Sequence, residues 1–153
     1  MKFPFSTALR TGLLVGTLDG IAAIIMFLIR GGKDPGKIFQ YIASAAIGKE
    51  SFSGGWSTIL LGVLFHYFIA CAFTFIFFFV YPRLKFFYKS PVLSGLLYGI
   101  IIWLIMNLVV IPMSRLPQSP INPSQAIPGI IILMLVVGLP LALVARKYYG
   151  MKA

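Results

Sequence analysis

The chain has 153 residues, of which 59% are hydrophobic and 10% are charged, and its mean hydropathy is +0.98. Soluble domains contain about half apolar and about a quarter charged residues, so this composition excludes a soluble globular protein. An aromatic content of 15% excludes a disordered chain in the same way. Lys and Arg outnumber Asp and Glu by 13 to 3. Because the basic residues lie between long apolar runs, we expect them to face lipid headgroups and not nucleic acid.

Four apolar segments are long enough to cross a bilayer as helices, which takes about 20 residues. They cover residues 7–29, 57–80, 92–112 and 129–146. The pattern predicts an all-α, polytopic membrane protein, in which residues 1–153 form a single four-helix transmembrane bundle. Gly138 and Pro140 interrupt the fourth segment, so we expect this helix to be kinked or short.

Four spans place both termini on one side of the membrane, and the basic residues are unevenly divided between the two sides. The side with the termini carries eight basic residues and no acidic ones, and the other side carries five basic residues with Asp34 and Glu50. Positive-inside counting therefore predicts cytoplasmic N and C termini, with the basic side facing anionic headgroups. The eight are Lys2, Arg10, Arg83, Lys85, Lys89, Arg146, Lys147 and Lys152, and the five are Arg30, Lys33, Lys37, Lys49 and Arg115.

The two outer loops differ in character. Residues 34–48 predict a short amphipathic helix, with Asp34 as N-cap, Pro35 in the first turn and Gly48 at the end. Its apolar face holds Ile38, Phe39, Ile42, Ala45 and Ala46, and its polar face holds Lys37, Gln40 and Ser44. This helix either lies in the membrane interface or packs as a lid over the bundle. The second outer loop, residues 112–128, contains five prolines, which predicts a stiff, extended segment.

Two ionisable residues lie at membrane depth, where each is a functional-site hypothesis by default. Asp19 is close to the middle of the first span, and His66 is close to the middle of the second. At 1.5 Å rise per residue, the two differ in depth by roughly 5 Å or less, so neighbouring helices could bring them into contact.

Three of the spans carry one face of small and polar residues. Gly12, Gly16 and Gly20 form a small-residue seam beside Asp19, of the kind that lets helix backbones approach closely. We expect the three faces to converge on a polar axis, with helix packing at the glycines. The predicted axis residues are Asp19, His66, Thr74, Tyr98 and Asn107, and the predicted packing glycines are Gly12, Gly16, Gly20, Gly62, Gly95 and Gly99.

The polar axis has three interpretations. In the first, a hydrogen bond between its residues holds the helices together. In the second, it is a protonation site that relays a proton or binds a cation. In the third, it is an enzyme active site. The single cysteine, Cys71, excludes an intrachain disulfide, and the single histidine disfavours a haem or metal site. We predict no catalytic residues, no metal and no cofactor, and an enzyme is the less favoured class.

The stretch from His66 onward resembles the YagU-like family of small bacterial inner-membrane proteins. The resemblance covers residues 60–115 and depends on His66, Tyr81-Pro82, the run Ser94-Gly95-Leu96-Leu97-Tyr98-Gly99, Trp103 and Pro112. It implies a compact four-helix protein of the bacterial inner membrane, and no substrate or reaction. The first outer loop and the short C-terminus depart from the family.

The preferred functional prediction is a small channel-like or transporter-like protein for protons, cations or a small solute. Because four short helices enclose little lumen, we expect a homo-oligomer built on the glycine seams. The alternative is a non-catalytic structural or accessory subunit that binds lipid or another membrane protein.

Overall fold

The computed structural model describes residues 3–116 and 122–150, and this part of the chain is helical without a strand. Lys2, Lys152 and the middle of the proline-rich loop lie outside the described residues. We number the helices α1 to α6 in chain order, taking a helix and the turns continuous with it as one element. They are α1 Phe5–Ile29, α2 Gly36–Ile47, α3 Gly55–Val80, α4 Lys85–Lys89, α5 Pro91–Met113 and α6 Pro123–Tyr149.

Helices α1, α3, α5 and α6 are each long and apolar enough to cross a membrane, so the chain is an integral membrane protein. The predicted four-helix membrane fold is confirmed, and the first three spans begin and end within two residues of the predicted bounds. The alternating direction of the helices gives the bundle two ends. We call the end that carries α2 the α2 end, and the opposite end, where the chain begins and finishes, the termini end.

The predicted extended conformation of residues 112–128 is wrong for its described flanks. Pro112 and Met113 belong to α5, and α6 already begins at Pro123. The side chain of Asn122 accepts a hydrogen bond from the Ser124 N–H at 3.0 Å and caps α6. Pro123 follows at the first helical position, where the missing N–H costs nothing.

Both α5 and α6 contain a wider π-helical turn, at Met106–Val110 and Leu133–Gly138. Each turn is followed two residues later by a proline, Pro112 or Pro140. A proline has no N–H to donate to the carbonyl four residues earlier, and its ring crowds that carbonyl. In both helices, the residue four positions before the proline lies within the π-helical turn, so the turn contains the carbonyl that lacks its donor. The predicted shortening of the fourth span therefore does not occur, because α6 absorbs Pro140 in a wider turn and continues to Tyr149.

The long helices form two tightly packed pairs, α1 with α3 and α5 with α6. In the first pair, Gly12 lies against Cys71, so that a Cβ added there would be 2.9 Å from the Cys71 Sγ. In the second pair, Gly95 lies against Gly138, and a Cβ on Gly95 would be 2.5 Å from the Gly138 carbonyl oxygen. Small residues thus bring the backbones within each pair into close contact.

Helix α2 packs along the first part of α3, which agrees with the predicted packing against the bundle. Gln40 and Ser44 are buried in this contact, although the sequence pattern placed both on the polar outer face. The Gln40 side chain donates to the Thr58 hydroxyl at 3.4 Å. The close approach requires Gly62, because a Cβ there would overlap the Phe39 carbonyl. Helix α2 begins at Gly36, so Pro35 and not Asp34 is the residue directly before it, one position later than predicted. The Asp34 side chain still accepts from the Gly36 N–H at 2.9 Å. Gly48 ends α2 with a φ of +77°, as predicted.

Candidate functional site

A cavity of about 340 Å³ lies between the two helix pairs, a volume within the range of small-molecule sites. It runs parallel to the helices, from Val15 to Arg30 on α1 and from Gln125 to Val137 on α6. Fourteen of its eighteen lining residues are apolar, and the four polar ones are Asp19, Arg30, His66 and Gln125. The apolar ones are Val15, Ala23, Met26, Ile42, Ile69, Ala70, Phe73, Ile102, Trp103, Met106, Gly129, Ile132, Leu133 and Val137.

Asp19 and His66 both line this cavity, from α1 and α3 respectively. Asp19 directly precedes Gly20 on α1, where an added Cβ would be 3.4 Å from the His66 Nε2. The His66 Nε2 is 2.7 Å from the carbonyl oxygen of Gly16. A carbonyl only accepts, so Nε2 donates its hydrogen to Gly16. The backbone of α1 therefore fixes the tautomer of the histidine beside Asp19.

The mouth of the cavity lies at the α2 end, where Arg30 and Gln125 are exposed. The Arg30 guanidinium donates to the Ser124 carbonyl of α6 at 3.4 Å. Pro128, four residues after Ser124, has no N–H for this carbonyl, so a proline inside the helix makes the backbone acceptor accessible. The contact joins the two helix pairs across the mouth.

Large aromatic side chains pack together at the termini end, beyond the residues that line the cavity. We call Phe77, Phe78, Tyr81, Tyr98 and Tyr149 the aromatic cluster. The Phe77 and Tyr98 ring centroids are 4.6 Å apart, and those of Tyr81 and Tyr149 are 6.1 Å apart. The Tyr98 hydroxyl donates to the Phe73 carbonyl at 2.6 Å, and the Tyr149 hydroxyl donates to the Phe78 carbonyl at 2.8 Å. These contacts tie α5 and α6 to α3 at the termini end.

Tyr81 follows α3 and is fully buried in the aromatic cluster. Its hydroxyl has no hydrogen-bond partner among the described residues. Burial raises the pKa of this hydroxyl, and the positive charge of Arg146 partly opposes the shift. The hydroxyl therefore stays neutral over the physiological pH range.

The structure brings together two of the five predicted axis residues, Asp19 and His66. The Asn107 side chain donates to the Trp103 carbonyl of its own helix at 2.9 Å and is not among the residues that line the cavity. Tyr98 belongs to the aromatic cluster, and the Thr74 hydroxyl donates to the Ala70 carbonyl within α3. The three small-residue faces thus do not converge on one axis, because they are used for packing between neighbouring helices.

All six predicted packing glycines lie against a neighbouring element. Gly12, Gly16 and Gly20 face α3, Gly62 faces α2, and Gly95 and Gly99 face α6. The seams on which a homo-oligomer was predicted are therefore covered within the chain, and a second copy would have to use another surface.

The sequence interpretation missed Arg30, Gln125, Phe73 and Met106 as residues of the cavity. A signal for Arg30 was present, since it directly follows the last residue of α1, Ile29. The Ser124 carbonyl could also have been predicted to accept a hydrogen bond from outside its helix, because Pro128, four residues later, has no N–H to donate to it. Phe73 and Met106 carry no signal of their own, because a large apolar residue in a span faces lipid as often as a neighbouring helix.

Comparison of the chain with family models, with curated proteins and with solved structures finds no match.

Proposed function

We propose that this integral membrane protein is a small transporter, with the cavity as its solute site and Asp19 and His66 as its proton-binding groups. The observation that carries the proposal is the cavity between the two helix pairs, with Asp19 and His66 in its wall. A channel needs a continuous path, whereas a carrier exposes its site to one side at a time. No described residue of α1 before Val15 and none of α3 after Phe73 lines the cavity, so the cavity stops short of the termini end, which favours the carrier.

The chemistry of the cavity wall supports this role. A carboxyl and an imidazole inside the hydrocarbon region are costly, and such groups typically mark ion or proton pathways. Here both line one cavity, and the His66 Nε2 is held by the Gly16 carbonyl.

The arrangement of the helices supplies a plausible transport motion, a rocking of one pair against the other. Packing within each pair is backbone to backbone, at Gly12 and at Gly95. Between the two pairs, the cavity separates the helices over part of their length, and the Arg30 side chain bridges its mouth. Opening at the termini end requires the aromatic cluster to separate while the α2 end closes.

The same proposal includes a location in a bacterial inner membrane with cytoplasmic termini and anionic lipids at the termini end. Among the described residues at that end are Arg10, Arg83, Lys85, Arg146 and Lys147, and the three acidic residues of the chain lie elsewhere. Membership of the YagU-like family and a homo-oligomer remain predictions from the sequence.

The proposal is tested by proton flux into proteoliposomes that contain a pH-sensitive dye, under an imposed pH gradient. We expect wild-type protein to dissipate the gradient faster than empty vesicles, and Asp19→Asn to match empty vesicles. The control is Asp34→Asn, which makes the same chemical change at the start of α2, outside the cavity. It should retain wild-type flux, because Asn also caps helices.

Traces for wild type that coincide with those of empty vesicles would exclude proton transport. Equal loss of flux in Asp19→Asn and Asp34→Asn would also contradict the role of the cavity. A purely structural role for Asp19, the alternative function, predicts a lower unfolding temperature for Asp19→Asn in detergent and no flux in any variant.

A further inference from the structure

We propose that the cavity binds a small organic cation with an apolar body, with its positive charge on Asp19 and its apolar groups against Trp103 and Phe73. This inference deepens the proposed function by naming the class of solute. It depends on three features of the cavity, namely its charges, its aromatic residues and its apolar wall.

The inner part of the cavity contains one acidic side chain. Of the residues that line the described cavity, Asp19, Arg30 and His66 can ionise. Arg30 follows α1, eleven residues after Asp19 and about 16 Å farther along the helix axis, and its exposed guanidinium is directed to the Ser124 carbonyl. A cation in the inner cavity is the natural counter-ion of the Asp19 carboxylate.

Two aromatic residues, Trp103 and Phe73, also line the cavity. The Tyr98 hydroxyl bonds to the Phe73 carbonyl, which places Tyr98 of α5 near the depth of Phe73 of α3. Trp103 is five residues, about 7.5 Å, closer to the α2 end, which brings it within a turn of the depth of His66. Trp is the best partner for an organic cation, and Phe73, about 10 Å from His66 along α3, meets the apolar groups of such a solute. A carboxylate and two aromatic rings around one cavity thus recognise both the charge and the apolar groups of such a molecule.

The apolar wall disfavours inorganic cations and strongly hydrated solutes. Fourteen of the eighteen lining residues are apolar, and the described residues contain no group of three or more His, Cys, Asp or Glu side chains that could hold a metal ion. A bare metal ion would lose its hydration shell here without enough oxygen ligands in exchange. An alkylated ammonium ion carries its charge inside an apolar surface, so it loses much less hydration free energy on entering the cavity.

The binding test uses Trp103 as the reporter. The chain has two tryptophans, and Trp56 is 78% exposed near the start of α3, so Trp56→Phe leaves the cavity residue as the single indole. The two probes are benzyltrimethylammonium and neopentylbenzene, which have the same shape and differ by one positive charge. We expect benzyltrimethylammonium to change the Trp103 emission saturably and to bind about tenfold or more tightly than neopentylbenzene.

Two variants in the Trp56→Phe background assign the preference to residues. Asp19→Asn should reduce the affinity for benzyltrimethylammonium by about tenfold or more and leave neopentylbenzene binding unchanged, which also shows that the variant is folded. Asp34→Asn is the matched control and should keep the wild-type preference. Phe73→Leu should weaken the binding of both probes alike, since Phe73 is about 10 Å from His66 along α3 and meets the apolar part of the probe, not its ammonium group.

The outcomes separate this inference from the proposed function. Equal affinities for the two probes, or an unchanged preference in Asp19→Asn, would overturn the cation assignment and leave the cavity as a binding site. Absence of any response to either probe would overturn both. Cation binding together with absent proton flux would support the site and contradict the transport role.

Discussion

Two buried tyrosines of the aromatic cluster differ in what their hydroxyl groups bind. The Tyr98 hydroxyl donates to the Phe73 carbonyl, whereas the Tyr81 hydroxyl has no partner among the described residues. A buried hydroxyl without a partner costs about 1–3 kcal/mol, because it loses its bonds to water. The hydroxyl group of Tyr98 therefore stabilises the fold and that of Tyr81 destabilises it, although both residues look like ordinary core aromatics in the sequence.

We expect Tyr81→Phe to raise the free energy of unfolding by about 1 kcal/mol, since it removes an unsatisfied group and keeps the ring. Tyr98→Phe should lower it by about 1 kcal/mol, since it removes a hydrogen bond between α5 and α3. Thermal unfolding in detergent measures both changes. Lower stability of Tyr81→Phe would indicate that its hydroxyl has a partner in the folded protein.

At the scale of single residues, the sequence predicted that Asp19 and His66 lie close together and could not predict the residues around them. Asp19 and His66 line one cavity because depth in a span follows directly from the fixed rise of a helix. Asn107 was expected beside them, but its side chain bonds to the Trp103 carbonyl of its own helix. Spacing alone does not distinguish an amide that reaches across the bundle from one that folds back on its own turn.

The contact between α5 and α6 depends on glycine more strictly than the contact of α1 with His66. A Cβ on Gly95 would meet the Gly138 carbonyl oxygen at 2.5 Å, and backbone atoms cannot move aside as a side chain can. A Cβ on Gly20 would be 3.4 Å from the His66 Nε2, which is ordinary contact. Glycines that look equivalent in sequence therefore differ in how strongly they are required.

We expect Gly95→Ala to lower the free energy of unfolding by about 1–3 kcal/mol, because α5 and α6 must separate to accept the methyl group. Gly20→Ala, the matched control in α1, should change stability by less than about 0.5 kcal/mol. Thermal unfolding in detergent compares the two variants. If they prove equally stable, α5 and α6 do not touch at Gly95.

The spans were predictable because hydropathy and bilayer thickness limit both the length and the position of a membrane helix. The start of α6 was not, since five prolines in seventeen residues suggested an extended segment. The Asn122 cap and the tolerance of first-turn positions for proline decide this region. The buried face of α2 also differed from its hydropathy pattern, because Ser44 and Gly62 are small enough for close packing.

The charge distribution of the whole molecule predicts its orientation in the membrane. Basic residues without acidic neighbours mark the termini end, and positive-inside sorting keeps such an end in the cytoplasm. In a Cys71→Ala background, we expect Ser53→Cys at the α2 end to react with a membrane-impermeant maleimide on intact cells. Lys85→Cys at the termini end should react only after permeabilisation. The reverse pattern would invert the topology and place the mouth of the cavity in the cytoplasm.

The division into two helix pairs has a consequence for how the protein assembles. Residues 5–80 contain α1, α2 and α3, whose contacts with each other use no residue of α5 or α6. The cavity takes its walls from both halves of the chain, with Asp19 and His66 from the first and Trp103 and Gly129 from the second. In a chain that inserts from its N-terminus, Asp19 would enter the lipid phase before its final surroundings exist. Docking of α5 and α6 against α1 and α3 would then complete both the fold and the cavity.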